Sequence, residues 1–112
     1  MTQLSEKKCQ AYKKGEPCLS VAAIEKLCTD INADWHLDNG QKIITRKFKF
    51  PNYHQTMAFT NAVAWIAHSE DHHPDMEVSY SACVIHFSTH SVAGLSENDF
   101  ICAAKIDILI SE

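Results

Sequence analysis

Lys42-Ile43-Ile44-Thr45-Arg46-Lys47-Phe48-Lys49-Phe50-Pro51-Asn52 decides how this chain folds. Its side chains alternate. Ile44, Arg46, Phe48 and Phe50 point one way, while Ile43, Thr45, Lys47 and Lys49 point the other. A period of two belongs to a β-strand, whose successive side chains leave opposite faces of a sheet. The phenylalanine-bearing face is expected to meet the core. Pro51 and Asn52 then break the strand and open the longest helix, over about 52–70. Upstream, Trp35-His36-Leu37 runs into Asp38-Asn39-Gly40, and Asn-Gly between two strand-like runs is a hairpin signal.

Working outward, Ser20 is placed to cap a short helix to about Asp30, with Val21, Ile24, Leu27 and Cys28 on one face. In the 52–70 helix, Phe59, Val63, Ile66, Ala67, Tyr53, Met57 and Ala64 form the arc expected to face the core. Trp65, with Ala58 and Ala62, falls outside that arc, either covered locally or buried by a second subunit. The residue before Pro74 is pushed out of the α region, so the helix ends at His72-His73. Met76–Tyr80 and Cys83–Thr89 alternate again, with a tight turn expected at Ser81-Ala82. Cys83, Ile85 and Phe87 are expected to face the core, and Val84, His86, Ser88 and His90 the other side. Gly94 interrupts the chain. Ser96 followed by Asp99 has the spacing of a capping box and opens a last helix to about Ile110.

The order is helix, two strands, helix, two strands, helix. It predicts an α+β domain of two layers: a four-stranded antiparallel sheet with helices packed on one face. Residues 1–18 are polar, carry Gly15 and Pro17, and are expected to form a flexible leader; residues 19–112 are expected to form the single domain.

The 112 residues suit one domain, and a hydrophobic content of 46% supplies a core without disulfide or metal staples. A net charge of −4 argues against non-specific binding to nucleic acid or an anionic membrane. No apolar run has membrane-helix length, and the start has no signal-peptide pattern, so a cytoplasmic protein is expected. The five cysteines, Cys9, Cys18, Cys28, Cys83 and Cys102, are an odd set without a Cys-x-x-Cys spacing, as free thiols in a reducing compartment would be. No glycine-rich phosphate loop is present.

The chemistry-bearing residues cluster in Asp71-His72-His73-Pro74-Asp75 and Ser88-Thr89-His90. Histidine exchanges protons near neutral pH. The hairpin that begins after Pro74 can return His90 beside the His-His turn, and Asp71 is placed to orient an imidazole by accepting its second N–H. Three other readings stand beside proton transfer. These histidines could be surface and capping residues. His72, His73, Asp75 and His90 could ligate zinc, with His68 and His72 at helical spacing. Ser88 and His90 could form a nucleophile relay, although no Gly-x-Ser-x-Gly elbow exists.

Taken in order, Asp71-His72-His73-Pro74-Asp75, Tyr80, Ser88-Thr89-His90, Gly94-Leu95-Ser96 and Asn98-Asp99-Phe100 resemble the pterin-4a-carbinolamine dehydratases. Ala103-Ala104-Lys105-Ile106-Asp107 resembles that family's bacterial branch, and the likeness covers about residues 19–108. The resemblance implies dehydration of 4a-hydroxytetrahydropterin to quinonoid dihydropterin, which recycles the tetrahydropterin used by aromatic amino acid hydroxylases. It implies no metal and no organic cofactor. It implies catalytic roles for His72, His73 and His90, and substrate contacts from Asp71, Ser88 and Thr89. It also implies a homo-oligomer, dimer or tetramer. Three positions depart from the pattern: His68 stands where many relatives carry glutamate, and Asp75-Met76 where vertebrate members carry glutamate and tryptophan. The alternatives to an enzyme are a non-catalytic oligomeric binding partner of the same fold and a small histidine-based metal-binding protein.

Overall fold

The computed structural model describes residues 3–110. Three helices, α1 (Val21–Cys28), α2 (Tyr53–Glu70) and α3 (Glu97–Leu109), pack with four strands, β1 (His36–Leu37), β2 (Ile44–Lys49), β3 (Asp75–Val78) and β4 (Ala82–Phe87). The sheet is antiparallel throughout, in the order β1-β2-β4-β3. This is the expected α+β arrangement. Short 3-10 turns at Leu4–Glu6 and His90–Val92 complete it.

Local signals set the helix starts. The Ser20 Oγ accepts from the Ala23 N–H at 3.2 Å, and the Asn52 Oδ1 from the Gln55 N–H at 2.8 Å. At α3 both halves of the Ser96/Asp99 capping box are present. Each such cap satisfies donors that the first helical turn leaves orphaned.

The core lies between the helices and one face of the sheet. Ile44 and Phe48 of β2 are buried there with Cys83, Ile85 and Phe87 of β4, as the alternation predicts. Trp35 meets Phe48 edge-on at 6.1 Å, and Phe48 lies 4.5 Å from Phe59 of α2. Arg46 also points inward. Its guanidinium is held by Asp107 at 2.6 Å and lies over the Phe48 ring at 4.4 Å. On the open face His86 reaches Thr45 of β2 at 2.8 Å and Glu77 of β3, a cross-strand link.

Four details differ from the sequence expectation. The Asp38-Asn39-Gly40 turn does join β1 and β2 as the expected hairpin, but the connection runs on to Ile43. The Asp38 carboxylate accepts from the Lys42 and Ile43 N–H groups, which widens the loop and leaves β1 only two residues long. The β3–β4 turn falls at Tyr80-Ser81, because Val78 pairs with Cys83 and the Ser79 N–H bonds the Ala82 carbonyl. The buried stripe of α2 is rotated: Thr56 and Thr60 lie inside, while Tyr53 and Ala64 are exposed. Both threonine hydroxyls sit 2.8–2.9 Å from backbone carbonyls, so burying them leaves no unmet donor.

The fourth difference is the N-terminal segment. The structure lays residues 3–18 along the domain rather than apart from it. Leu4 is buried, the Lys105 ammonium donates to the Ser5 carbonyl at 2.9 Å, and Lys7 pairs with Glu97 at 2.8 Å. The Cys9 N–H donates to Glu70 at 2.8 Å, and Gln10 exchanges two bonds with the Asn98 side chain. Burial alone would raise the Glu70 carboxyl, but the Cys9 N–H, Lys105 and Lys8 together hold it below the usual carboxylate range. No described helix is long and apolar enough to cross a membrane.

Candidate active site

The turn that ends α2 is built by a left-handed residue. Asp71 has φ 52°, and its N–H closes onto the Ala67 and His68 carbonyls. This conformation is open to aspartate at modest cost and redirects the chain sharply. It sends His72 under the domain and leaves Asp71 and His73 exposed.

His72 is tightly held. Its Nε2 lies 2.6 Å from the Asp99 Oδ1, and its ring stacks on Phe87 at 5.7 Å with 9° between planes. The His72 side chain is 11% exposed and that of Asp99 is 0%. The other Asp99 oxygen accepts from the Thr89 hydroxyl at 2.8 Å and from the Ser96 N–H at 3.0 Å. The Thr89 and Ser96 hydroxyls are 2.6 Å apart. A buried carboxylate with several donors is an acceptor for an imidazole N–H, so it fixes the His72 tautomer with Nε2 protonated and leaves Nδ1 as the second nitrogen.

This bridge joins the turn after α2, the end of β4 and the start of α3. His73 and His90 flank it, each one residue beyond a bridge member, His72 or Thr89, and both are exposed. His90 is not on a strand: it opens a 3-10 turn whose base is closed by the Thr89–Gly94 bridge, with N–H···O distances of 2.7 and 3.4 Å. Ser88 is exposed beside it. Thr89 is buried, its hydroxyl engaged with Asp99 and Ser96.

The carboxylate that orients an imidazole is therefore Asp99, not Asp71. The sequence signal for Asp99 was its place in a capping box. The same side chain caps α3 through one oxygen and holds His72, 27 residues away, through the other. His68 lies against Trp65, ring centres 5.6 Å apart. Among the described residues, no group of three or more His, Cys, Asp or Glu side chains is placed to share a metal ion.

Asp99→Ala removes a cap and strands the buried Thr89 and Ser96 donors. It is expected to cost about 2–3 kcal/mol of stability, read from the urea midpoint. A loss under about 0.5 kcal/mol would show that the bridge carries little of the local order.

Comparison with known proteins supplies an independent line. Residues 17–109 match a family model described as pterin 4 alpha carbinolamine dehydratase. A protein of Nitrosomonas eutropha, provisionally named a pterin-4-alpha-carbinolamine dehydratase, is 50% identical over 107 residues, covering 96% of this chain and 93% of that protein. A protein of Legionella pneumophila with the same provisional name is 47% identical over 109 residues, covering 97% and 96%. Among solved structures, a transcriptional coactivator/pterin dehydratase from Brucella melitensis superimposes with a TM-score of 0.79 at 26% identity, covering 84% of this chain and 99% of that one. A pterin dehydratase-like RuBisCO assembly factor of the alpha-carboxysome shares the fold, with a TM-score of 0.61 at 22% identity over 70% of this chain and 92% of that one.

Proposed function

The chain belongs to the pterin 4 alpha carbinolamine dehydratase family, and from that premise we propose that it removes water from a 4a-hydroxytetrahydropterin to give the quinonoid dihydropterin. The observation that carries this reading is the buried Asp99–His72 bridge with His73 and His90 on its two flanks. In the reaction the C4a–O bond breaks. The departing oxygen takes a proton from a general acid and leaves as water, and the ring system gives up a proton to a base. Positioned groups of this kind each contribute ~10²–10⁴-fold in rate.

The three histidines are suited to different parts of that task. His72 has one nitrogen committed to Asp99 and its ring packed on Phe87, so we assign it to positioning the turn and walling the pocket. His73 and His90 are exposed, so we assign the two proton transfers to them. Asp71 and Ser88, exposed beside them, are assigned to holding the pterin, and Thr89 acts through Asp99. No metal or organic cofactor enters this scheme. The setting we propose is the cytoplasm, where the product feeds regeneration of the tetrahydropterin used by aromatic amino acid hydroxylases.

The test is dehydration of freshly generated 4a-hydroxytetrahydropterin by the purified protein. Full activity is expected after exhaustive chelation. Activity that appears only when zinc is added, or no acceleration at all, would reject the proposal.

A homo-oligomer, dimer or tetramer, is part of the same proposal. Trp65 is 68% exposed on the outer face of α2, and Tyr53 and Tyr80 stack on the surface at 6.3 Å. A large aromatic beside the small Ala58 and Ala62 lets helices approach closely, and a two-fold contact buries it twice. Trp65→Glu is expected to yield folded monomers, because a buried unpaired carboxylate is costly. Light scattering at micromolar concentration decides this. A wild-type monomer removes the interface, and an unchanged oligomer in the variant moves it elsewhere.

A further inference from the structure

Two thiols outside the proposed chemistry face each other where the N-terminal arm crosses α3. Cys102 is fully buried and Cys9 half-buried, with their Sγ atoms 3.6 Å apart. Contacts other than the sulfurs hold them there. On the arm, Lys7 pairs with Glu97, the Cys9 N–H bonds Glu70, and Gln10 is bonded twice to Asn98. A disulfide needs the sulfurs about 1.6 Å closer than the 3.6 Å observed. Closing that gap would call for a side-chain rotation at Cys9 with a small shift of the arm.

We infer that Cys9 and Cys102 are a redox-sensitive pair that closes to an intramolecular disulfide on exposure to a peroxide. The Cys9 thiolate attacks one peroxide oxygen and the O–O bond breaks. The departing hydroxide takes a proton and leaves as water, and Cys9 becomes a sulfenic acid. The Cys102 sulfur then attacks the Cys9 sulfur. The S–S bond forms, the S–O bond breaks, and the hydroxyl leaves with the Cys102 proton as a second water. Two electrons pass from the thiols to the peroxide.

The division of labour follows from the surroundings. The hydrogen bond to Cys9 and burial push the Cys102 thiol up, which keeps it protonated until its partner is oxidised. Cys9 is the member that solvent reaches. Burial, then Glu25, pushes the Cys28 thiol up, and burial does the same at Cys83. The bond would tie the arm to α3 one turn past Asp99, and close a loop spanning 93 positions. The arm already bridges Glu70 and Asn98, so the cross-link would clamp the two helices that frame the His72–Asp99 contact.

The test needs no pterin. The full chain is reduced, desalted, treated with hydrogen peroxide, then denatured and alkylated for intact-mass and peptide mapping. Two alkylation sites should be lost within one chain, with a Cys9–Cys102 peptide that dithiothreitol reverses. The unfolding midpoint without reductant should rise by about 5 °C or more. Cys9→Ser should abolish both effects. The inference is overturned if Cys9 and Cys102 stay alkylatable while Cys18 oxidises, if the cross-link joins other cysteines or two chains, or if Cys9 ends as a sulfinic acid without a bond. Mapping of the unmodified chain decides these outcomes even where a variant folds poorly.

Discussion

His73→Ala and His90→Ala are each expected to lower turnover by at least about tenfold, while His36→Ala and His54→Ala should leave it within about twofold. The first two remove an exposed imidazole from either flank of the Asp99–His72 bridge, where a proton donor or acceptor would meet the substrate. His36 lies on the short β1 and His54 in the first turn of α2, away from that bridge. Circular dichroism should show both site variants folded, since neither imidazole is buried. The measurement is steady-state dehydration at saturating substrate, with kcat and KM resolved. A loss confined to KM would make the residue a binding group. Equal losses at all four positions would mean that histidine replacement perturbs the fold and that the site lies elsewhere.

The largest expected change in stability comes from Asp107→Ala. One Asp107 oxygen accepts from Arg46 at 2.6 Å and from the Trp35 indole N–H at 2.8 Å, and the other from the Asn32 N–H at 2.9 Å. Arg46 is buried, and its other carboxylate partner, Asp34, is 3.7 Å away and exposed. Removing Asp107 leaves a buried guanidinium almost unpaired, with its Nε already lacking a partner. Breaking a buried pair from one side costs about 3–5 kcal/mol. Small domains have about 5–15 kcal/mol in total, so the variant should approach the edge of folding. Urea unfolding measures it, and the Arg46→Met/Asp107→Leu double variant should recover most of the loss. A single-variant cost below about 1 kcal/mol would put this pair among weak surface bridges.

The features legible in the sequence were those whose cause is local. Ser20, Asn52 and the Ser96/Asp99 pair announced helix starts because a cap acts within three residues. The inward faces of β2 and β4 followed from a period of two. The histidine cluster stood out by density alone. What stayed hidden depends on distant partners. The arm looked like a leader because it is polar, yet its polar groups are the ones that bind it: Cys9 to Glu70 and Gln10 to Asn98, partners 61 and 88 positions away. Thr56 and Thr60 were not named in the core-facing arc of α2, which was drawn from apolar and aromatic residues, whereas a hydroxyl bonded to its own helix is buried without penalty. Asp99 was visible as a cap and invisible as the partner of His72, because a capping box carries no information about a second, tertiary acceptor role.

The pinched base of the loop at residues 89–94 bears on how this segment tolerates changes of length. Surface loops ordinarily absorb inserted or deleted residues, because their ends are anchored and their interior is free. Here the ends are bonded to each other, Ala93 is already left-handed at φ 53°, and a Cβ at Gly94 would come within 3.1 Å of Cys18. One residue more or fewer between Thr89 and Gly94 would have to break that pairing or displace the 3-10 turn that His90 opens. Homologous exchange of this loop would therefore succeed only between sequences of equal length, so the spacing from residue 89 to residue 94 constrains variation more tightly than the identity of the residues between.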